Sequence, residues 1–430
     1  MKLAPDELDM LEGKEGETRQ KAMQLLLKYG EALGAERFIN TDNVTVLAGL
    51  FEYPELVQQI CPSLDADEIA SLLFLDSDTV LPRARVKAFT TNHIFVINKD
   101  YWRVVQGRTS ILRILADRIE DYCRDIGINN LATCTPYQAG NIPIKGEHCA
   151  WTESSSIPFA NAVLGARTNI EGCHSSFASA LTGKTPLWGM HFDENRLGDF
   201  QVEVEVDLSE VMEWGLLGYY VGGVVGLHVP VYTHINSIPN LTKLMTLNAA
   251  GAASGSIVMY HIVGITPEAP TLEMATGGKK PVASIQYGKH ERRTAYEKLN
   301  HSEKNDVDVV ILGCPHYSLE RIALVSNLLR GKTISENVGF YITTCKQIKT
   351  LADRNGYTDI ISKAGGILME DTCGLEFAHH PSKCIATDSA KQAHYLPGVL
   401  GVENTFYGTT QDCIQAAVTG RWKGELKWKK

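Results

Sequence analysis

The last third of the chain repeats one pattern of apolar and polar residues. Three apolar runs each end in a cysteine: VDVVILGC at Cys314, VGFYITTC at Cys345 and GILMEDTC at Cys373. Segments with helical spacing follow the first two runs, and KCIATDSAKQAHYLPG has a similar form. Alternating strands and helices predict right-handed βαβ units and a parallel sheet. Because ligands of such sheets bind beyond the carboxyl ends of the strands, these cysteines are expected at a functional edge.

The pattern differs in the first two thirds. Residues 17–35 and 109–126 place apolar side chains at helical spacing, which predicts a helix-rich N-terminal third. Alternating valines in QVEVEVDLSE predict a strand with one wet face, and LTKLMTLNAAGAASG followed by SIVMYHIVG predicts a helix and then a buried strand. The 430 residues are too many for one core. We expect an α/β protein with a helix-rich part at 1–130, a central α/β part at 131–280 and a C-terminal α/β domain at 281–430.

One uncharged stretch, from Trp214 to Thr242, is long enough to cross a bilayer. Its prolines, histidines and five glycines favour buried core plus a glycine-rich loop over a transmembrane helix. The acidic N-terminus has no apolar core, so no secretory signal is expected. The net charge of -9 and the lack of a basic block before the last three residues argue against nucleic acid. We expect a cytoplasmic protein with no membrane or nucleic-acid partner.

The chain has 10 cysteines, and no two of them form a CxxC pair. A disulfide framework and a structural zinc ribbon are therefore not expected. Three kinds of cysteine chemistry fit the residues. They are a Cys–His nucleophile such as Cys314 near His316 or His148, a zinc site, and an iron–sulfur cluster held by thiolates from distant segments. The spacing of the cysteines does not choose among them.

The densest polar stretch, residues 133–172, reads TCTPYQAGNIPIKGEHCAWTESSSIPFANAVLGARTNIEG. Its turn residues and many hydrogen-bond donors suit a loop site on a rigid scaffold. Interleaved apolar residues such as Trp151 and Phe159 argue against a fully solvated loop. The candidates for substrate contacts here are Tyr137, Ser154, Ser155, Asn161, Arg167, Thr168 and Asn169.

Long motifs across the chain resemble the aconitase X family. They include LAPDELDMLEGKEGE, CTPYQAGNIPIKGEHCAWTESS, GCPHYSLE and TDSAKQAHYLPG. The resemblance implies an aconitase-like multi-domain α/β core with parallel sheets that lacks the swivel domain of single-chain aconitases. It also implies an iron–sulfur cluster, of 2Fe-2S, 3Fe-4S or 4Fe-4S type, held at the motif positions Cys134, Cys314 and Cys373.

The resemblance further implies a dehydratase that eliminates water from a small hydroxylated carboxylic acid, of the cis-3-hydroxy-L-proline or mevalonate 5-phosphate type. On this interpretation Arg167 is suited to grip a carboxylate with two hydrogen bonds. Ser389 and Lys391 are candidates for the base or for substrate contacts, and His148 with Glu147 or Glu153 could relay the proton of the departing hydroxide. A separate small swivel-domain subunit is the expected partner.

Two other functions remain open on the sequence. One is a catalytically silent subunit of the same fold that scaffolds a partner, and the other is a cysteine or zinc hydrolase. The substrate is also open. The archaeal family pattern Asn-Arg-Glu-Gly-Gly reads NIEGC at residues 169–173, and the absent arginine favours a substrate without phosphate.

Overall fold

The computed structural model describes residues 1–48, 53–95, 97–302, 304–377 and 383–427. The chain forms two compact units. Unit 1 comprises Met1–Glu153 and Leu164–Arg196, and unit 2 comprises Ser154–Val163 and Leu197–Lys430. The predicted division at residues 130 and 280 stays a prediction.

Unit 1 is built from short strands and amphipathic helices around one apolar core. Its strands are β1 (Phe38–Asn40), β2 (Asn43–Val46), β3 (Phe89–Asn92), β4 (Cys149–Ala150) and β5 (Lys184–Pro186). Its helices are α1 (Pro5–Leu11), α2 (Glu17–Ala32), α3 (Pro54–Ile60), α4 (Ala66–Ile69), α5 (Ser110–Ile126) and α6 (Cys173–Thr182). A parallel sheet has the order β3-β2-β4, and β1 pairs with β5 in antiparallel fashion.

The two helices predicted in this unit are confirmed as α2 and α5. Helix α5 begins where the Thr109 hydroxyl accepts a hydrogen bond from the Leu112 amide, and it ends at Gly127 in the left-handed conformation. Its apolar side chains at helical spacing are buried in the core that also holds Leu25 and Leu26 of α2. The apolar stripe therefore fixes which face of each helix is covered.

Unit 2 contains two parallel sheets. Its strands are β6 (Phe200–Val204), β7 (Pro230–Thr233), β8 (His261–Ile262), β9 (Ala283–Tyr287), β10 (Val309–Leu312), β11 (Gly339–Thr344), β12 (Ile367–Glu370), β13 (Cys384–Thr387) and β14 (Asn404–Tyr407). Its helices are α7 (Val211–Val225), α8 (Leu241–Gly255), α9 (Leu272–Thr276), α10 (Lys289–Leu299), α11 (Leu319–Leu329), α12 (Lys346–Arg354), α13 (Tyr357–Lys363), α14 (Ala390–Leu400) and α15 (Thr410–Thr419).

The predicted parallel sheet of the last third is confirmed. Its strand order is β12-β11-β10-β13-β14, and every neighbouring pair is parallel. The chain runs outward from β10 to β12 and then returns to β13 on the other side of β10. This order leaves a crevice where the helices after β10 and β13 diverge, which is where open α/β sheets bind ligands.

The second sheet of unit 2 has the order β8-β7-β6-β9, also parallel. Strand β6 alternates buried and partly exposed residues, as predicted for one wet face. The strand predicted in SIVMYHIVG is shorter than expected, since only His261–Ile262 pairs with a neighbour. The preceding Met259 and Tyr260 are buried outside the ladder.

The uncharged stretch Trp214–Thr242 is buried only in part: Trp214–Leu217 and Val229–Tyr232 are buried, whereas Leu227 and Ile238 are exposed. The predicted glycine-rich loop is wrong. Most of its glycines lie in helix α7, which packs closely on α8. A Cβ atom on Gly218 would lie 2.4 Å from the carbonyl oxygen of Leu247, and one on Gly222 would lie 2.7 Å from that of Gly251. The glycines therefore permit a close helix–helix contact. No helix in the described parts of the chain is long and apolar enough to span a membrane.

This contact predicts opposite effects for two substitutions in one helix. Gly218→Ala should lower the free energy of unfolding by about 1–3 kcal/mol, because the methyl group meets backbone that cannot yield without moving α8. Gly223→Ala is the matched control, since no atom lies within 4 Å of its added Cβ. It should leave stability unchanged or raise it by up to ~1 kcal/mol through helix propensity. Urea unfolding of both variants measures the difference, and equal effects would contradict the packing argument.

Candidate active site

The loop after β10 is fixed in a conformation that requires glycine. Gly313 has a φ of +102°, and a Cβ there would lie 2.2 Å from the carbonyl oxygen of Thr343. The Thr343 hydroxyl donates a hydrogen bond of 2.8 Å to the Gly313 carbonyl. The Tyr317 amide donates to the Thr343 carbonyl at 3.1 Å. Strand β11 therefore holds the loop on both sides of Cys314.

Cys314 and Cys373 come together at the carboxyl edge of this sheet. Their thiols lie within hydrogen-bonding distance, and this contact together with burial raises the pKa of Cys373 well above its ordinary value. The Leu375 amide donates to the Cys373 sulfur at 3.5 Å. His316 Nε2 donates to the Thr372 carbonyl at 2.8 Å, which ties the two cysteine loops together. Three apolar runs ending in cysteine thus yield one close thiol pair.

The third strand-end cysteine has a different environment. Cys345 has no exposed surface and stands at the residue before α12. Burial raises the pKa of its thiol. Cys314 and Cys373 are partly exposed whereas Cys345 is buried, so position at a strand end alone does not make a cysteine accessible.

Ser389 and Lys391 lie at the start of α14, directly after β13. The Ser389 hydroxyl caps the helix by accepting a hydrogen bond from the Gln392 amide at 3.1 Å. Lys391 Nζ donates to the Ser154 hydroxyl at 2.9 Å. The short segment 154–163 of unit 2 therefore supplies one wall beside α14. In the same segment Asn161 Nδ2 donates to the Val258 carbonyl at 2.9 Å.

A buried ion pair underlies both loops. Arg321 of α11 donates to the Asp388 carboxylate, as does the Tyr317 hydroxyl. Thr410 donates to the same carboxylate oxygen at 2.7 Å. The side chains of Arg321 and Asp388 are only 7% and 4% exposed. Burial alone would lower the pKa of Arg321, but the charge of Asp388 outweighs it and the pKa is raised.

These residues line a small, partly open cleft at the reversal between β10 and β13. Its lining is Thr242, Met245, Thr246, Ala249, Cys314, Pro315, His316, Tyr317, Ser318, Arg321, Asp388, Ser389, Ala390 and Lys391. Because Arg321 and Asp388 neutralise each other, Lys391 leaves one positive charge in excess. This charge suits an anionic group of a small molecule.

In unit 1, His148 lies against a second histidine. The Nδ1 atoms of His148 and His191 are 2.9 Å apart. The pKa of His148 is lowered by burial and by nearby arginines. Burial, then His148, Arg196 and Arg167, lower the pKa of His191 to about 3. Both rings are therefore neutral at pH 7, so one Nδ1 donates its proton to the other.

Arg167, Thr168 and Asn169 are engaged within unit 1. Arg167 donates to the His191 carbonyl at 2.8 Å and to the carboxylate of Asp193. The Thr168 hydroxyl accepts the Trp151 amide proton at 2.9 Å. Asn169 holds residues 188–190 through hydrogen bonds to the Trp188 carbonyl and the Met190 amide.

The other predicted site residues are Glu153, Tyr137, Cys134 and Ser155, and their environments differ. Glu153 contacts His93 Nε2 at 2.5 Å, and both side chains are nearly buried. Tyr137 is buried and Cys134 is partly exposed in unit 1. Ser155 is buried in unit 2, next to the residue that meets Lys391.

Comparison with known proteins shows the family. Models of the first, second and third domains of aconitase X match residues 1–194, 198–297 and 307–419. The chain belongs to the aconitase X family. The crystal structure of Thermococcus kodakaraensis aconitase X in its holo-form superposes with a TM-score of 0.80 at 30% identity, covering 97% of this chain and 100% of that one.

The sequence relatives of this aconitase X chain are dehydratases. The phosphomevalonate dehydratase large subunit of Methanothermobacter thermautotrophicus is 34% identical, over 92% of this chain and 94% of that protein. The cis-3-hydroxy-L-proline dehydratase of Hypocrea jecorina is 32% identical, over 98% of this chain and 69% of that protein. The predicted family, fold class and dehydratase type are thereby confirmed, and the chain is a hydro-lyase.

The buried network of Tyr317, Arg321 and Asp388 was not predicted from the sequence of this aconitase X chain. A signal for each was present. Asp388 directly follows the apolar run of β13, where polar residues reach the ligand edge of a sheet. Tyr317 and Arg321 are four residues apart, which is the spacing of neighbours on one helix face. The pairing of His148 with His191 left no such signal in the sequence.

The buried ion pair predicts a large cost for losing one partner. Asp388→Asn keeps the shape of the side chain but leaves Arg321 buried without a counter-charge, which should lower the free energy of unfolding by about 3–5 kcal/mol. The control is Glu297→Gln, whose partner Arg293 forms a pair with side chains 60–65% exposed. That change should cost less than ~0.5 kcal/mol. Similar decreases in the free energy of unfolding of the two variants, measured with urea, would contradict a larger stabilisation by the buried pair.

Proposed function

We propose that this chain is the large catalytic subunit of an iron–sulfur-dependent dehydratase that acts on a small hydroxylated carboxylic acid. The observation that carries the proposal is the thiol pair of Cys314 and Cys373 beside Ser389 and Lys391, at the reversal point of a parallel sheet. The reaction class follows from the family, and the proposal concerns the cofactor, the residues and the substrate.

The donor set of this edge fits an iron–sulfur cluster. Soft thiolates are the preferred ligands of such clusters, and two thiols already converge here. The described residues include no group of three or more His, Cys, Asp or Glu side chains arranged to hold a metal ion. The family resemblance supplies Cys134 of unit 1 as the third ligand, and this assignment is part of the proposal. A cluster with three protein ligands would supply a Lewis acid that polarises the substrate hydroxyl.

The residues of the cleft are assigned three different roles in the reaction. Lys391 carries the excess positive charge of the cleft, and this charge supports a role in holding the substrate carboxylate. Its ammonium group also donates to the Ser154 hydroxyl. Ser389 stands at the N-terminal end of α14, where the helix dipole favours negative charge. We assign to its oxygen, in the alkoxide form, the removal of the proton beside the hydroxyl-bearing carbon, which returns Ser389 to the neutral hydroxyl. The Arg321–Asp388 pair fixes the backbone that presents both groups.

The candidate residues of unit 1 remain proposals from the resemblance. Arg167 is proposed to hold a carboxylate, and its present partner Asp193 is 83% exposed, so the pair is a weak one that an anion could replace. His148 is proposed to pass on the proton that the departing hydroxide takes up, with Glu153 as the alternative. Contacts of substrate with Tyr137, Thr168 and Asn169 of this unit, and with Ser154, Ser155 and Asn161 of unit 2, complete the proposed set.

The excess of one positive charge in the cleft supports a substrate with a single carboxylate. A substrate of the cis-3-hydroxy-L-proline type brings one carboxylate, whereas mevalonate 5-phosphate brings a phosphate as well. The absence of an arginine in residues 169–173 points the same way. Mevalonate 5-phosphate is the second candidate because of the identity to phosphomevalonate dehydratase large subunits.

A small partner subunit is proposed from the two kinds of relatives. The chain spans 94–98% of several proteins named large subunits but 69% of the cis-3-hydroxy-L-proline dehydratases. The latter therefore carry sequence beyond the matched part. Dehydration needs a water-poor site, because charges act more strongly on the substrate there. A second chain that covers the cleft would provide it.

The ligand assignment predicts which cysteines hold iron. Cys134→Ser, Cys314→Ser and Cys373→Ser should each abolish or sharply weaken iron binding after anaerobic reconstitution, because a hydroxyl is a poor substitute for a thiolate. Cys345→Ser is the matched control from the same sheet edge and should keep its iron. Iron and sulfide analysis with the visible spectrum gives the readout. Loss of iron in the Cys345 variant, with retention in the Cys134 variant, would overturn the assignment.

The proposed function is tested by assays with both substrates and both subunit states. The reconstituted chain alone should turn over slowly or not at all, and a co-expressed small subunit should raise the rate at least about tenfold. Cis-3-hydroxy-L-proline should react and mevalonate 5-phosphate should not. Full activity of the isolated chain would remove the need for a partner. A colourless protein without iron or sulfide, inactive on both compounds, would favour a silent subunit, and bound zinc would favour a hydrolase.

A further inference from the structure

Gln392 of α14 has a buried side-chain amide that is unpaired within the described part of the chain. Its side chain has no exposed surface. Neither Nε2 nor Oε1 has a hydrogen-bond partner among the described residues. The large majority of buried side-chain polar atoms in native proteins are hydrogen-bonded, and each unpaired one costs about 1–3 kcal/mol. An amide with both ends unpaired therefore indicates a partner that the chain does not itself supply.

The amide is seated against the loop that carries Cys373. A Cβ atom on Gly374 would lie 3.1 Å from Gln392 Oε1 and 3.3 Å from Nε2. The same Cβ would lie 2.5 Å from Ile311 of β10, so the space at this point is filled. Because Gly374 has no side chain, the amide can approach the backbone of the residue next to Cys373.

The Cys373 loop already directs one N–H group at sulfur, since the Leu375 amide donates to the thiol at 3.5 Å. A second donor would continue the pattern. Hydrogen bonds from N–H groups to cluster sulfur tune the reduction potential, and outer-shell partners of metal ligands affect metal affinity by about 10–100-fold. Of the neighbouring side chains, Lys391 donates to Ser154 and Ser389 accepts from the Gln392 amide.

We propose that Gln392 Nε2–H donates a hydrogen bond to a sulfide of the bound cluster beside Cys373, and so sets the potential and retention of the cluster. The inference rests on the proposed function. Gln392 acts through the cluster sulfide and is a positioning and tuning residue. In the reduced cluster, which carries more negative charge, the hydrogen bond is stronger, so it raises the reduction potential.

Gln392→Met tests the inference, because methionine has a similar length and shape but no donor. After anaerobic reconstitution with iron and sulfide, the variant should have a lower midpoint potential than the wild type in an EPR-monitored redox titration. It should also lose iron to a ferrous chelator about tenfold faster. The cluster-free variant should be at least as stable as the cluster-free wild type in thermal unfolding, since an unpaired buried amide has been removed.

Thr405→Val is the matched control, because it also removes a buried hydrogen-bonding atom that has no partner among the described residues, at the start of β14. It should leave both the potential and the rate of iron loss unchanged. An unchanged potential and chelation rate in Gln392→Met would overturn the inference, as would a marked loss of stability in the cluster-free variant. Absence of iron and sulfide from the reconstituted wild type would overturn the proposed function, and this inference with it.

Discussion

The contact between Arg321 and Asp388 is the constraint on which the cleft depends. Asp388 follows β13 and Arg321 lies in the helix after β10, so the pair spans the point where the strand order reverses. Tyr317 and Thr410 complete the shell of donors around the same carboxylate oxygen. A charge buried this deeply is tolerated only when its partners are fixed, and the network therefore fixes the loops that carry Cys314 and Ser389.

The strand order explains why residues far apart in sequence meet. Cys314 follows the central strand and Cys373 follows the edge strand β12, with β11 between them. The loops must therefore lean toward each other, and the hydrogen bond from His316 to the Thr372 carbonyl holds them in this arrangement. Cys345, at the end of the intervening strand β11, is buried and is the N-cap residue of α12. The thiol pair is thus a product of loop conformation as well as topology.

Much of the fold was predictable from the sequence, because its signals are local. The repeated strand-and-helix pattern gave the parallel sheet, and the apolar stripes gave α2 and α5. The glycines of α7 led to a wrong prediction of a loop. A glycine-rich stretch is typical both of a flexible loop and of a helix that packs closely on another helix. Local signals do not state which neighbour a glycine faces, so Gly218 against α8 became visible only with the helix pair in place.

The candidate site was predictable only in part, for the same reason. The motif TDSAKQ places Ser389 and Lys391 correctly at a helix start, but it does not reveal that Asp388 is buried under them or that Gln392 turns inward. Buried polar residues of this unit differ in kind. Asp388 Oδ2 accepts hydrogen bonds from Tyr317, Arg321 and Thr410, whereas the Gln392 amide has partners for neither end among the described residues. A group paired in this way supports the site, and an unpaired one beside a cysteine that is proposed as a ligand indicates where something else binds.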